Sequence, residues 1–198
     1  PDGGLVMSAV ETETRPPEQG TDVDLHIVAF CCHYCAYAAA DLAGALRVQS
    51  PPSVRVVKLP CTGKVDVLLL LGALEHGADG VMVAGCLEGD CHYQRGNLHA
   101  RQRVERVRQL IGQIGLEPER VRMFNMSSGM GQAWADAVTE MDAQVRAVGP
   151  SPLRPTAPTD LDTFVERTAT TTDEGDDEHA VACSVRAPSP ASPGRPEP

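Results

Sequence analysis

Gly80-Val81-Met82-Val83-Ala84 is apolar or small throughout and runs directly into Gly85-Cys86-Leu87-Glu88-Gly89-Asp90-Cys91-His92-Tyr93. A short apolar run with no polar alternation is the pattern of a strand buried on both faces. Helical patterns flank it. Upstream, Val65–His76 reads as a helix that stops at Gly77, a residue suited to the left-handed C-cap. Downstream, Asn97–Gly115 repeats Val104, Val107, Leu110, Ile111 and Ile114 on one helical face, with Arg101, Arg106 and Arg108 off it. Further out the alternation continues. His26–Phe30 reads as a first strand, Ala36–Arg47 as a helix ending before Pro51-Pro52, and Ser53–Leu59 as a second strand. After the turn at Glu117-Pro118-Glu119, Val121–Asn125 reads as a fourth strand. Gly131–Val148 is then a final helix burying Ala133, Trp134, Ala137, Val138, Met141 and Val145. Repeated strand–helix units of this length predict an α/β fold: a doubly wound, mostly parallel four-stranded sheet, flavodoxin-like or Rossmann-like. Ligands of such folds bind beyond the C-terminal ends of the strands.

The 198 residues suit one domain, expected at 23–149, with length to spare. Residues 1–22 and 150–198, rich in Pro, Thr, Gly and acids, are expected to be largely disordered, because they hold too little apolar surface to offset chain entropy. A short helix near 160–167 is the exception, with Leu161, Phe164 and Val165 on one face. The net charge of −10 sits mainly in these ends: residues 1–20 hold four acids against one arginine, and residues 151–198 nine against four. The nearly balanced middle gives no footprint for nucleic acid. The longest apolar run, Val65 to Ala73, is interrupted by Asp66 and Gly72 and is too short to span a membrane. No secretory pattern opens the sequence, and the chain is expected to be cytoplasmic. In a reducing compartment, clustered cysteines are more often metal ligands or redox groups than structural disulfides.

Six of the seven cysteines fall at strand ends. Cys31, Cys32 and Cys35 follow the first predicted strand, Cys61 the second, and Cys86 and Cys91 the third; only Cys183 lies elsewhere, in the tail. Iron–sulfur clusters are held by four cysteine thiolates. Backbone N–H groups at a helix start lower thiol pKa values, and Cys32-x-x-Cys35 opens a predicted helix. Glycines in the Gly85–Cys91 loop let its backbone curl. Cys31 reads as a core residue, since a free cysteine packs as a small hydrophobe. Two other chemistries use the same residue types. Zinc accepts four thiolates, or a mixture with His33 or His92, though structural zinc sites usually use two C-x-x-C pairs. A thiol–disulfide oxidoreductase would cycle Cys32 and Cys35, leaving Cys61, Cys86 and Cys91 without a role.

These segments resemble the delta subunit of methyl-viologen-reducing hydrogenase, an iron–sulfur family associated with heterodisulfide reductase. The resemblance is carried by Phe30–Gly44, Leu59–Asp66, Gly77–Tyr93 with Gly96-Asn97, and Glu117–Arg122, and it covers roughly residues 24–147. It implies a [2Fe–2S] cluster and a role as an electron conduit. The electrons would run from a hydrogenase or another electron-donor subunit to a heterodisulfide-reductase-A-like flavoprotein. The implied ligand candidates are Cys32, Cys35, Cys61, Cys86 and Cys91. That is one more than a cluster needs, and Cys86 or Cys91 is the first to set aside. Two departures bear on tuning: His33-Tyr34 stands where the family has Asn-Trp, and Leu87-Glu88 where it has His-Pro.

Among the remaining features, Arg101, Arg103, Arg106 and Arg108 form a basic run, read as a solvated helix face or an acidic-partner patch. Ser127-Ser128-Gly129-Met130-Gly131 reads as a plain N-cap. His92 and Tyr93 read as shielding, partner-facing or loop-packing residues. No glycine-rich nucleotide fingerprint and no catalytic acid–base pair stand out.

Overall fold

The computed structural model describes residues 24–154 and 159–173. Residues 1–22, expected to be disordered, and Cys183 lie outside the described residues.

Four parallel strands, β1 (Ile27–Cys32), β2 (Val54–Leu59), β3 (Gly80–Gly85) and β4 (Val121–Asn125), form one sheet in the order β2-β1-β3-β4. The two central strands are buried along their whole length, as the continuous apolar runs require. In register, Ile27 pairs with Val54 on one side and Gly80 on the other, and Val81 pairs with Val121. Two layers of helices cover the sheet. On one face α1 (Ala38–Ala45) and α4 (Gly131–Val148) pack Ala39, Ala43, Trp134, Val138 and Met141 against Ile27, Ala29 and Met82. On the other, α2 (Val67–Glu75) and α3 (Gly96–Gln113) pack Leu70, Leu74, Val104, Val107 and Ile111 against Val28, Phe30, Val81 and Val83. The fold is therefore doubly wound. The strand order reverses between β1 and β3, which opens a crevice at their C-terminal ends.

Local chemistry sets the boundaries. The Asp66 carboxylate accepts from the Leu69 N–H at 2.7 Å and caps α2, and Gly77 takes the left-handed conformation (φ 100°) just after that helix. Gly131 lets α4 cross α1 closely; a Cβ there would lie 3.0 Å from the Ala43 backbone nitrogen. The Ser127–Gly131 turn differs from the plain N-cap expected. Met130 holds the cap position without a side-chain cap bond, and its Sδ accepts from the Ser127 N–H at 3.4 Å.

Two further differences matter for the site. Strand β1 reaches Cys32, two residues beyond the sequence-based end, because Cys31 pairs in register with Lys58 and Ala84 and buries like any small apolar residue. The helix expected from Ala36 starts earlier, as a π-helical turn over His33–Tyr37 that leads into α1. Such wide turns are frequent at functional sites.

Past the domain boundary expected at 149, the chain stays in contact with the core. A fifth helix, α5 (Thr159–Asp173), is longer than the 160–167 segment read from sequence. Leu161 is buried in the α2–α3 layer, Phe164 stacks on His76 with centroids 4.8 Å apart, and Arg55 of edge strand β2 pairs with Asp162 at 2.9 Å.

Candidate metal centre

The C-terminal ends of β1, β2 and β3 deliver six buried cysteines with unbridged thiols. Cys32 ends β1 and caps the π-helical turn in extended backbone (φ −61°, ψ 129°), and that turn brings Cys35 back over the strand end. Cys86 follows β3 directly. The sulfurs of Cys32, Cys35 and Cys86 all lie within 4.8 Å of one another, and Cys32 Sγ is 3.7 Å from Cys86 Sγ. Thiolates sharing one tetrahedral metal at ~2.3 Å stand ~3.8 Å apart, so this spacing is that of sulfurs ready to share a metal.

The second group comes from two loops. Cys61 caps a short 3₁₀ turn, Thr62–Lys64, and its sulfur accepts from the Gly63 N–H at 3.3 Å. Cys91 lies in the loop before α3. Both sulfurs converge on Gly96, where a Cβ would come 2.3 Å from Cys61 Sγ and 3.2 Å from Cys91 Sγ. Only glycine permits this approach. The groups are electrically joined: Cys61 feels Cys91 and Cys32, and Cys86 feels Cys32 and Cys91. Cys31 faces away into the α1–α4 layer, its thiol donating to the Ala29 carbonyl at 3.6 Å. Burial, and then the neighbouring Cys32, push that thiol up, as befits a packing residue.

Cys32, Cys35, Cys61 and Cys86 lie close enough to shift one another's protonation. Cys32 is pulled down to about 6, first by hydrogen bonding from Cys35, against the opposing effect of burial, with help from the Tyr34 and Cys35 N–H groups at the start of the turn. Cys35 is pushed up in turn, chiefly because its proton is shared with Cys32. Burial lifts Cys61 to about 12. Ionising these crowded, buried thiols together is costly without a cation, and a thiophilic metal would supply the compensation. The donor set, the spacing and the glycine cradle fit an iron–sulfur cluster or another thiolate-bound metal.

A shell of residues little used in the sequence reading holds the Cys86–Cys91 loop. Buried Asn97 donates to the carbonyls of Cys86 (3.1 Å) and Leu87 (2.8 Å), and Asn125 donates to Cys86 at 2.6 Å. Arg101 pairs with Glu88 and reaches Asn125 at 3.1 Å. Arg103 donates to the carbonyls of Gly63 and Val65, each at 2.7 Å, bracing the Cys61 turn. In the basic run on α3, Arg103 and Arg108 donate to backbone carbonyls, whereas Arg101 and Arg106 are exposed. Gly96-Asn97 was the available signal for the Asn97 brace; nothing in the sequence marks Asn125 or the Arg103 contacts. Over the crevice, Tyr34 stacks on His92 with centroids 4.2 Å apart, and Tyr34 and Tyr93 remain substantially exposed.

Residues 27–149 match the family described as methyl-viologen-reducing hydrogenase, delta subunit. The chain belongs to that family. The delta-subunit family comprises iron–sulfur subunits associated with hydrogenases and heterodisulfide reductases. The chain is 47% identical over 132 residues to the D-type iron-sulfur subunit of the F420-non-reducing hydrogenase vhu of Methanocaldococcus jannaschii, covering 67% of this chain and 98% of that one. It is 46% identical over 125 residues to the D-type iron-sulfur subunit of the F420-non-reducing hydrogenase of Archaeoglobus profundus, covering 63% and 91%. A 124-residue match at 39% identity, covering 63% of this chain, spans only 16% of the A-type subunit of the ferredoxin:CoB-CoM heterodisulfide reductase of Methanosarcina mazei. The delta-subunit domain thus exists both as a separate chain and as a segment of a larger polypeptide. Helix α5 lies beyond the matched residues. No helix among the described residues is long and apolar enough to cross a membrane.

Proposed function

We propose that this delta-subunit chain holds a [2Fe–2S] cluster in the crevice between β1 and β3. It would relay electrons between a hydrogenase or other donor and a heterodisulfide-reductase-A-like flavoprotein. The observation that carries the reading is the buried gathering of five thiols, Cys32, Cys35 and Cys86 within 4.8 Å of one another and Cys61 and Cys91 meeting at Gly96, enough to give each of two irons a pair of thiolates. Cys86, with its sulfur 3.7 Å from that of Cys32, is a ligand on this reading. The fourth thiolate comes from Cys61 or Cys91. When bound, the cluster supplies reversible one-electron exchange.

The chain's own residues do the rest. Asn97, Asn125 and Arg101 fix the Cys86–Cys91 loop, and Arg103 fixes the Cys61 turn. The exposed Tyr34–His92 stack joins the Cys32–Cys35 turn to the Cys91 loop and offers a surface a partner can reach. The flavoprotein assignment is supported by the longer relatives, in which a domain like this one belongs to the same polypeptide as the rest of the A-type heterodisulfide reductase chain.

The test is transfer. Anaerobically reduced protein mixed with a heterodisulfide-reductase-A-like flavoprotein should reoxidise as the flavin is reduced, and the Cys86→Ser variant should not. Failure of the loaded wild-type chain to reduce any such flavoprotein would reject the conduit role. Zinc on the same thiolates is the second reading, favoured by the same tetrahedral spacing; it predicts zinc in the purified protein and no reducible chromophore.

A further inference from the structure

Among the described residues, one buried side-chain polar atom lacks a hydrogen-bond partner: the hydroxyl oxygen of Thr62. Leaving a buried hydroxyl unpaired is expensive, and folded proteins seldom do so without a reason. Thr62 is 1% exposed, so bulk water does not serve it. Its place is specific. It follows Cys61 directly in the 3₁₀ turn, and its Oγ1 would lie 3.1 Å from a Cβ on Gly85, the residue preceding Cys86. The hydroxyl is thus carried by the residue after Cys61 and lies against the residue before Cys86, at the C-terminal end of β3. The turn that carries it is braced by Arg103 on the carbonyls of Gly63 and Val65, so the side chain is held in place.

We propose that the Thr62 hydroxyl is a hydrogen-bond donor to a sulfur of the cluster, and that it raises the reduction potential. The inference rests on the iron–sulfur reading above. The physical reason is charge. Reduction adds an electron to the sulfur-rich core, and a donor aimed at sulfur stabilises that added negative charge more than it stabilises the oxidised form. Such a bond gives the buried hydroxyl the partner that no group among the described residues supplies.

The proposal predicts opposite effects in loaded and metal-free protein. Thr62→Val removes the hydroxyl at nearly constant shape, and Thr62→Ser restores it. In a redox titration followed by electron paramagnetic resonance, Thr62→Val should shift the midpoint to more negative potential, with Thr62→Ser close to wild type. In metal-free protein, Thr62→Val should move the urea midpoint upward, since it deletes a desolvated and unused polar group. Should valine not fold, Thr62→Ala removes the same hydroxyl and its potential is read instead. A Thr62→Val or Thr62→Ala potential equal to wild type overturns the proposal while leaving the cluster reading intact. A wild-type chain that takes up no iron and sulfide overturns both.

Discussion

The two ends of the sheet solve the problem of buried polarity in opposite ways. At the N-terminal end, every conspicuous polar group is matched. Asp79, fully buried, accepts from the backbone N–H groups of His26 and Ser151, both at 2.8 Å, and pairs with Arg154 at 3.2 Å. Arg120, also buried, donates to the carbonyls of Asp79 (3.0 Å) and Gly149 (2.9 Å) and pairs with Glu117 at 2.7 Å. At the C-terminal end, three thiols crowd within 4.8 Å of one another, Cys61 and Cys91 meet at Gly96, and the Thr62 hydroxyl has no hydrogen-bond partner among the described residues. One end satisfies its buried polarity within the chain; the other gathers soft sulfur donors suited to a thiophilic metal. A doubly wound sheet lends itself to this division, because the strand order leaves a crevice only at the C-terminal edge.

That contrast can be broken by mutation. The largest loss of stability is expected at the matched end: Asp79→Ala leaves the His26 and Ser151 N–H groups and Arg154 without their carboxylate and should cost about 3–5 kcal/mol in urea unfolding. Cys86→Ser at the other end should bring iron content to background yet move the metal-free unfolding free energy by only about 1 kcal/mol. A similar loss of stability at both ends would erase the distinction. Gly96→Ala should come next, since its Cβ would lie 2.3 Å from Cys61 Sγ; about 1–3 kcal/mol of overpacking and a much reduced iron content are expected. Cys31→Ser should be the mildest, with iron content near wild type, because that thiol donates to the Ala29 carbonyl and lies outside the Cys32–Cys35–Cys86 group. A Cys31→Ser protein without iron would place a sixth cysteine in the site.

The order of strands and helices was legible because each element announces its period. The all-apolar Gly80–Ala84 stretch and the helical spacing from Val104 to Ile114 admit few other folds. The gathering of cysteines followed from that order, since Cys32, Cys61 and Cys86 each come at the end of a different strand. Three things were not legible. Five residues cannot distinguish a π-helical turn from an α-helical one, so the start at His33 emerges only from the structure. The matched end draws on partners far apart along the chain, such as Asp79 and Ser151, and no local pattern links them. Long arginine side chains look alike whether solvated or turned inward, and only the structure shows Arg103 reaching Gly63 and Val65. The docking of α5 was half visible. Leu161, Phe164 and Val165 marked an apolar face, but the sequence did not say that the face lies against α2 and β2.

The most direct trial of the central claim is elemental: iron, acid-labile sulfide and zinc measured on protein purified without oxygen, with the resonance spectrum of the reduced sample. A [2Fe–2S] core in the Cys32–Cys35–Cys86 crevice predicts about two irons and about two sulfides per chain and a signal that appears on reduction. Colourless protein carrying zinc and no sulfide would contradict it.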